Sequence, residues 1–474
     1  MNQIRGIRRR EAVDDHLNKQ SVIECLEGIR ASQLGNVRNI YVYLPPGYQE
    51  QTDRHYPVLY VHAGQRAFGP PGPGNETWHM DRAVDELIVS GRIEPLIMVG
   101  IAHVRPVTHN EFYHFIAPER EAISVGCSGG AYEHFIIHEL KPLIDHRYRT
   151  LPDKSNTGLL GSSAAALCTL HMGMRNPEVF GKLVMMSPFL VDVQLDELSD
   201  SGLLEEAMYR LPDEVPDVQM WMDIGDAEGL FLPSQVRRVA QELLERGIGT
   251  RDSMAFLEQP EACHQESDWG ERVDLPLLYM FGEVGQPVAL EMQGREIIGL
   301  SGGVNTCINA RLHYDSGWVQ SLLEGSYTTS HPDVLQVRPN GELVAVGPGS
   351  ALITLTVGEL STTRQYTVIP ELSARVEVCI CAEVENEEEP AESIYGGMGM
   401  KLVRTGTGRY EGCYLVPRDS GFSFRFTRGF RRFETDKSGM PVANRVIRAT
   451  DNMSVHYHIQ SWGSSTAKAG TGGE

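Results

Sequence analysis

Between residues 37 and 285, short apolar runs alternate with longer segments whose apolar residues recur every three or four positions. Runs such as PVLYVH, PLIMVGIA and KLVMMSP are continuously apolar, which is typical of strands buried on both faces of a sheet. Segments such as HMDRAVDELIVSG and SQVRRVAQELLERG have the spacing of amphipathic helices. Strands that alternate with helices predict a doubly wound α/β sheet.

The pattern changes near residue 286, where helical spacing ends and period-two alternation begins. In residues 327–369 the alternating runs are broken by PNGE and GPGS, which are turn signals between hairpin strands. A second strand-rich block follows the acidic stretch EVENEEEPAE. We therefore predict an α/β fold followed by two C-terminal β-sandwich domains, with these divisions: an N-terminal extension (1–36), the α/β domain (37–285), a first β-sandwich (286–370), a second β-sandwich (371–462) and a flexible tail (463–474).

Charge and hydropathy exclude some classes of function. The 474-residue chain has a formal net charge of -21, which argues against a nucleic-acid partner because phosphate contacts need clustered Lys and Arg. No apolar run is long enough to span a membrane, and the first residues lack the apolar core of a signal peptide. We expect a cytoplasmic protein, or a secreted one if a leader has been removed.

Cysteine spacing predicts neither a disulfide scaffold nor a metal site. The chain has eight cysteines, and none of them lies in the paired CxxC spacing of a zinc site. Cys379 and Cys381 alternate on one predicted strand, a spacing unsuited to a bridge between them. We expect reduced thiols, no metal and no cofactor.

Three serines compete for the role of nucleophile. Ser128 (GCSGG) and Ser301 (GLSGG) match the G-x-S-x-G pattern, whereas Ser163 (GSSAA) misses it at the last residue. A nucleophile elbow needs a strand before the serine, a helix after it and small neighbours. Ser301 is predicted to lie in a hairpin turn, and Ser128 in a glycine-rich loop that leads to a helix. Ser163 alone follows a strand (TGLL) and precedes a helix, with Gly161 and Ala165 as small neighbours, so we predict it as the nucleophile.

A serine needs a base and an orienting carboxylate, which in α/β hydrolases follow it along the chain. Glu228 comes after the strand VQMWMDIG, with Asp223 and Asp226 as nearby alternatives. His264 lies in a loop just past the last predicted strand. This order favours His264 as the base over three other histidines, of which two precede Ser163 and one lies on the helix after it: His62, His103 and His171.

Two backbone N–H groups are predicted to form an oxyanion hole. One belongs to Ala164, the residue after the nucleophile, and the other to the loop that follows the early strand PVLYVH, at Gly64 and Gln65.

Several motifs occur in the order found in a known family. YVYLPPGYQ, YPVLYVHAGQRAF, HELKPLIDHRYRTLPDKSNTGLLGSSAAALCTLHMGMRNPEVFG, DIGDAEG and HQESDW together resemble the putative esterase family of α/β hydrolases over residues 37–285. That family includes enterochelin esterase, feruloyl esterases, S-formylglutathione hydrolase and mycolyltransferases. The resemblance implies Ser163 as nucleophile, Glu228 as acid, His264 as base, and the N–H groups of Gln65 and Ala164 as oxyanion donors.

The chain departs from the family pattern at two places. Relatives usually read Ser-Met-Gly-Gly where this chain has SAAA, and Asp-Gly-Gln-Asn where it has AGQR. The second change places Arg66 near the expected oxyanion region, where it is expected to alter substrate recognition. We predict Gly64, Arg66 and Trp78 as residues of the substrate pocket.

The strand-rich part shows two further resemblances. Residues 327–369 resemble a bacterial immunoglobulin-like group 2 domain, and residues 375–462 resemble a starch-binding-type β-sandwich. The second resemblance implies that a carbohydrate could bind on aromatic side chains, for which the candidates are Trp462, Phe430, Phe433 and Tyr395.

The function predicted from these residues is a serine carboxylic-ester hydrolase that forms an acyl-enzyme on Ser163. The alternatives are an acyltransferase on the same scaffold and a binding protein with a degenerate hydrolase domain. The partner is expected to be a small or oligomeric ester, such as a siderophore lactone, a depsipeptide or an acylated sugar. A homodimer is compatible with the sequence.

Overall fold

The structure is a computed structural model that describes residues 6–11, 21–68, 77–104, 111–114, 127–190, 211–212, 214–230, 232–248, 253–301, 306–385, 387, 391–396, 400–428 and 432–463. Among these residues, no helix is both long and apolar enough to cross a membrane.

A nine-stranded sheet forms the centre of the first part of the chain. Its spatial order is β1-β2-β3-β5-β4-β6-β7-β8-β9. In this order, each neighbouring pair from β5 through β4 to β9 is parallel. The pairs β1-β2, β2-β3 and β3-β5 are antiparallel. The predicted α/β sheet is thus confirmed, with an antiparallel edge formed by β1, β2 and β3. The strands are β1 (Gly6–Glu11), β2 (Val22–Ala31), β3 (Asn36–Leu44), β4 (Val58–His62), β5 (Ile97–Ile101), β6 (Thr157–Ser162), β7 (Lys182–Met186), β8 (Gln219–Gly225) and β9 (Met254–Gln259).

Helices cover both faces of this sheet. Alternate residues of β4 belong to opposite cores: Val58 and Tyr60 pack under one layer of helices, and Leu59 and Val61 under the other. Burial on both faces explains why the central strands are continuously apolar. The helices are α1 (Met80–Val89), α2 (Gly129–His134), α3 (Lys141–Arg147), α4 (Ala164–Arg175), α5 (Leu232–Glu245), α6 (Glu266–Arg272) and α7 (Asp274–Phe281), with a π-helical turn at Phe135–Leu140 and 3₁₀ turns at Gly64–Arg66 and Lys154–Asn156.

The segment predicted as an N-terminal extension contributes two strands to the sheet. β1 pairs with β2, and β2 pairs with β3. Four apolar side chains of β2, those of Ile23, Leu26, Ile29 and Ala31, are buried. Residues 22–31 therefore share the core of the α/β part.

All the regular elements described beyond α7 are strands. We call β10 to β19 (Pro287–Glu371) the middle β region. Its strands form three small sheets, ordered β10-β13-β14, β11-β19-β18-β15 and β12-β17-β16. They are β10 (Pro287–Gln293), β11 (Ile297–Ser301), β12 (Thr306–Cys307), β13 (Asn309–Tyr314), β14 (Val319–Leu322), β15 (Ser326–Thr329), β16 (Leu335–Val337), β17 (Glu342–Ala345), β18 (Gly349–Val357) and β19 (Leu360–Glu371).

We call β20 to β29 (Arg375–Trp462) the C-terminal β region. Eight of its strands form one sheet, ordered β28-β20-β23-β22-β21-β25-β26-β29, and the other two form the ribbon β24-β27. They are β20 (Arg375–Val384), β21 (Ser393–Gly396), β22 (Met400–Gly406), β23 (Arg409–Pro417), β24 (Gly421–Phe424), β25 (Phe426–Arg428), β26 (Arg432–Thr435), β27 (Arg445–Arg448), β28 (Met453–Ile459) and β29 (Ser461–Trp462). The resemblances to immunoglobulin-like and starch-binding domains stay predictions.

The expectation that all thiols are reduced is wrong at one pair. Cys379 on β20 and Cys413 on β23 form a disulfide. The two residues lie directly opposite each other in the antiparallel register, with their Cα atoms 4.0 Å apart. Sequence spacing could not show this pair, because the partner of Cys379 is set by the register of a strand 34 residues away.

Candidate active site

Ser163 occupies a sharp turn between β6 and α4. Its backbone has φ 55° and ψ -127°, a conformation that a non-glycine residue rarely adopts. A Cβ atom at position 161 would lie 2.3 Å from the carbonyl oxygen of Ala165, so only glycine fits there. Position 165 is the second residue of α4 and accommodates alanine. The structure therefore has the strand, strained turn and helix of a nucleophile elbow despite the missing second glycine.

The other two serines lie in different surroundings. Ser128 directly precedes α2 and has an ordinary backbone φ of -119°, which agrees with the predicted loop before a helix. Ser301 is the last residue of β11 rather than a turn residue, and its hydroxyl donates to the carbonyl oxygen of Pro370 at 2.9 Å.

A chain of hydrogen bonds joins Ser163, His264 and Glu228. The Nε2 atom of His264 lies 2.9 Å from Ser163 Oγ, and its Nδ1 atom lies 2.8 Å from Glu228 Oε2. With the ring proton on Nδ1, the imidazole donates to the carboxylate and accepts the hydrogen bond of the serine hydroxyl. Glu228 comes from the loop after β8, and His264 from the loop after β9. The structure thus brings together the three residues in the arrangement of a catalytic triad.

The two aspartates that competed with Glu228 have other partners. Asp223 is buried and accepts hydrogen bonds from Trp221 Nε1 (2.7 Å) and Arg272 Nε (3.0 Å). Asp226 pairs with Arg448 at 2.8 Å. Of the three carboxylates, Glu228 is the one bonded to His264.

The carboxylate oxygen of Glu228 that does not face His264 is fixed by three hydrogen bonds. Oε1 accepts hydrogen bonds from the Gly225 N–H at 2.7 Å, the Ser187 hydroxyl at 2.6 Å and Arg272 at 3.1 Å. Burial alone would raise the pKa of Glu228, but the hydrogen bond and charge of His264, followed by the charge of Arg272, outweigh it and hold the pKa below its ordinary value. The carboxylate is therefore ionised at neutral pH, as an orienting acid must be.

The other histidines near the site have different environments. His62 is buried at the wall of the cavity, and its Nδ1 lies 2.9 Å from the Tyr132 hydroxyl. Burial, with a smaller effect of His114, lowers the pKa of His62 to about 3, so this ring is neutral. Burial also lowers the pKa of His171 to about 4. His264 is the histidine in hydrogen-bond contact with Ser163.

A cavity of about 540 Å³ opens above Ser163. Its walls combine aromatic side chains with one ion pair, between Arg66 and Glu266. The predicted pocket residues Arg66 and Trp78 line it. Its described lining consists of Val61, His62, Ala63, Arg66, Ala67, Trp78, His103, Phe112, Ser162, Ser163, Ala164, Ala165, His264, Glu266 and Trp269.

Gly64 and Gln65 lie in the 3₁₀ turn at the edge of this cavity. The described lining has Ala63 and Arg66 on either side of them but neither residue itself. A Cβ atom at Gly64 would lie 2.2 Å from Gly100 Cα, so this glycine allows the turn to pack against β5. The side-chain oxygen of Gln65 accepts from the His103 N–H at 3.2 Å. Gly64 therefore has a packing role, while its predicted pocket role and the Gln65 N–H as an oxyanion donor stay predictions.

Sequence reasoning missed the residues that surround the triad. Ser187 directly follows β7, whereas Glu266, Trp269 and Arg272 all lie on α6, so the two groups meet only in the fold. The motif HQESDW contained a partial signal, since it holds both Glu266 and Trp269. Among the described residues, no group of three or more His, Cys, Asp or Glu side chains is arranged to hold a metal.

The aromatic residues predicted for carbohydrate binding differ in how far their side chains are exposed. Phe433 is exposed, Tyr395 and Trp462 are half-buried, and Phe430 lies outside the described residues. The guanidinium of Arg428 lies 4.9 Å from the Trp462 ring centre. Carbohydrate binding by the C-terminal β region stays a prediction.

The chain is similar to several known proteins, including esterases. An uncharacterised protein, YjcH, from Bacillus subtilis (strain 168) is 25% identical over 234 residues, which are 48% of this chain and 85% of that protein. An endo-1,4-beta-xylanase/feruloyl esterase from Xylanibacter ruminicola is 29% identical over 161 residues, which are 32% of this chain and 20% of that protein. A solved ferulic acid esterase from Anaeromyces mucronatus is 18% identical and covers 57% of this chain and 92% of its own, with a TM-score of 0.41. The family model described as "Putative esterase" matches residues 31–274, about half of the chain, so the protein belongs to the putative esterase family of α/β-hydrolase enzymes.

Proposed function

We propose that the protein is a serine carboxylic-ester hydrolase that acts through an acyl-enzyme on Ser163. The observation that carries the proposal is the continuous hydrogen-bond chain from Ser163 Oγ through His264 to the buried Glu228. A serine hydroxyl is a weak nucleophile at neutral pH, and an adjacent, correctly oriented imidazole activates it.

In the first half of the reaction, Ser163 Oγ attacks the ester carbonyl carbon while its proton passes to His264 Nε2. The carbonyl oxygen becomes an oxyanion, for which the backbone N–H groups of Ala164 and Gln65 are the proposed donors. The carbonyl then re-forms, the bond to the alcohol oxygen breaks, and His264 gives its proton to the leaving alkoxide. In the second half, His264 takes a proton from water as the water oxygen attacks the acyl carbon. The bond from the acyl carbon to Ser163 Oγ then breaks, His264 returns the proton to Oγ, and the acid leaves.

The cavity supports an ester with an aromatic group as the substrate class. Trp78, Phe112 and Trp269 contribute apolar surface beside Ser163, and flat rings pack well against aromatic side chains. A relative from Xylanibacter ruminicola carries feruloyl esterase in its name. Aryl-acylated sugars are therefore the first class to test, ahead of siderophore lactones and depsipeptides.

The decisive test replaces Ser163 by alanine. We expect kcat on an aryl ester to fall by on the order of 10³-fold or more, and covalent labelling by a fluorophosphonate to be lost, because both need the nucleophile. Ser301→Ala is the matched control, since this serine matches the sequence pattern but is exposed at the end of β11. Unchanged turnover in the Ser163 variant would refute the proposal.

A further inference from the structure

We propose that the C-terminal β region positions the triad: its ribbon β24-β27 braces the two loops that carry Glu228 and His264, so that rapid turnover requires this region. The expected effect on kcat rests on the proposed ester hydrolysis. The positioning role differs from a role as a spacer or carbohydrate-binding module, because either of those would leave the triad loops independent of the region.

The first contact is with the loop of the acid. Glu228 and Phe422 pair as an isolated antiparallel β-bridge, and the Gly229 N–H donates to the Gly421 carbonyl oxygen at 3.0 Å. Leu230 packs against the core of the C-terminal β region. A Cβ atom at Gly421 would lie 3.0 Å from Ala227 Cα, so the two backbones approach closely. The backbone of the orienting acid is thus paired with a strand of the C-terminal β region.

The second contact is with the loop of the base. Asn444 Nδ2 donates to Gln265 Oε1 at 2.8 Å, one residue after His264. The residue that follows His264 in the chain therefore contacts the segment that leads into β27.

The two loops are also tied to each other. Ala227 N–H donates to the Ala262 carbonyl oxygen at 3.2 Å, and Glu261 N–H donates to Asp226 Oδ1 at 2.7 Å. The same Asp226 oxygen pairs with Arg448 of β27 at 2.8 Å. The ribbon thus contacts a single unit made of both loops.

This arrangement matters because neither loop has regular secondary structure to fix it between residues 226–230 and 260–265. The imidazole must keep two hydrogen bonds, to Ser163 and to Glu228, in the same orientation. A displacement of about 1 Å in a reacting group can reduce a rate by on the order of 100-fold. Contacts that limit motion of these loops therefore act on the chemical step more than on substrate binding.

The test uses the full chain with Asn444→Ala and Arg448→Ala combined, two partly exposed positions whose side chains contact the loops. We expect kcat on p-nitrophenyl acetate to fall about 5- to 20-fold with KM within about twofold of the parent, since the ground-state cavity is unchanged. Hydrogen–deuterium exchange should rise several-fold in peptides covering 226–230 and 260–265. Gly421→Val, which pushes β24 away from Ala227, should lower kcat and raise exchange in the same way. Arg448→Lys alone should largely keep the parent values, because lysine can still pair with Asp226.

Arg409→Ala and Lys437→Ala are the matched controls, because these residues pair with Glu411 and Glu385 within the same region. Neither control should change exchange in the two loops or kcat. Unchanged exchange and kcat in both the double variant and Gly421→Val would overturn the inference. If loop exchange rises while the parent itself neither hydrolyses esters nor labels at Ser163, the positioning stands and the proposed hydrolase function fails.

Discussion

At the scale of single residues, two buried carboxylates share one guanidinium. Arg272 contacts Asp223 at 2.9 Å and Glu228 at 3.1 Å, and all three side chains are almost completely buried. Burial raises the pKa of Asp223 despite Arg272, whereas the pKa of Glu228 lies below its ordinary value because His264 and Arg272 outweigh burial. Ionised Glu228 therefore adds to the free energy of unfolding, and this contribution is lost as pH falls through its lowered pKa. Asp223 has the opposite effect: its ionisation lowers the free energy of unfolding as pH rises above the ordinary pKa of an aspartate.

Replacing Arg272 by glutamine should expose this dependence. Removing one member of a buried ionic network leaves charges unpaired, so we expect the free energy of unfolding at pH 7 to fall by about 3–5 kcal/mol. The loss should shrink towards acidic pH, because both carboxyl groups can then take up protons. Urea unfolding at a series of pH values measures both effects. Arg246→Gln, which removes a partly exposed pair with Glu242 on α5, should change stability by at most about 0.5 kcal/mol at any pH; equal losses in the two variants would contradict the argument.

At the scale of elements, the turn from β6 to α4 depends on one glycine. A Cβ atom at position 161 would lie 2.3 Å from the Ala165 carbonyl oxygen and 2.8 Å from Thr169 Oγ1. We expect Gly161→Ala to slow fluorophosphonate labelling of Ser163 at least about tenfold, because the first turn of α4 must move and carry the nucleophile with it. Gly130→Ala is the control, since a Cβ there meets nothing within 4 Å and alanine favours the helix. If labelling slowed equally in both variants, the loss could not be assigned to the turn at Gly161.

The sequence predicted the elements that have a strong pattern and missed those that depend on tertiary contacts. The apolar runs of β4, β5 and β7 identify buried strands without any knowledge of their neighbours. By contrast β2, VIECLEGIRA, mixes buried apolar residues with Glu and Arg, so its pattern did not distinguish a strand from a polar extension. Chain order brought Ser163, Glu228 and His264 into one hypothesis, but the donors around Glu228 converge from separate elements whose juxtaposition no spacing encodes.

At the scale of the whole molecule, the middle β region shares a core with the α/β part. Trp318, which precedes β14, is fully buried and packs with Trp221 of β8 and Tyr279 of α7, at ring-centre distances of 6.1 and 5.6 Å. Its Nε1 atom donates to the Leu275 carbonyl oxygen at 3.1 Å. Asn309 and Ser321 add hydrogen bonds to the backbone of Glu258 on β9. Such an interface resembles the interior of one folding unit more than a contact between tethered modules.

We therefore expect Trp318→Ala to destabilise the α/β part as well as the middle β region. Loss of a fully buried tryptophan costs about 3–5 kcal/mol, and here the cavity opens in the core beneath β8, whose loop carries Glu228. Thermal inactivation of ester turnover and loss of far-UV circular dichroism should shift to lower temperature together. Phe433→Ala, at an exposed aromatic position of the C-terminal β region, should leave both transitions within about 1 °C of the parent, since this side chain lies outside the shared core. The contrary result would be a variant whose ester turnover keeps the thermal midpoint of the parent while part of its circular dichroism signal is lost at a lower temperature. The two parts would then unfold independently, and the shared core would contribute nothing to the stability of the active site.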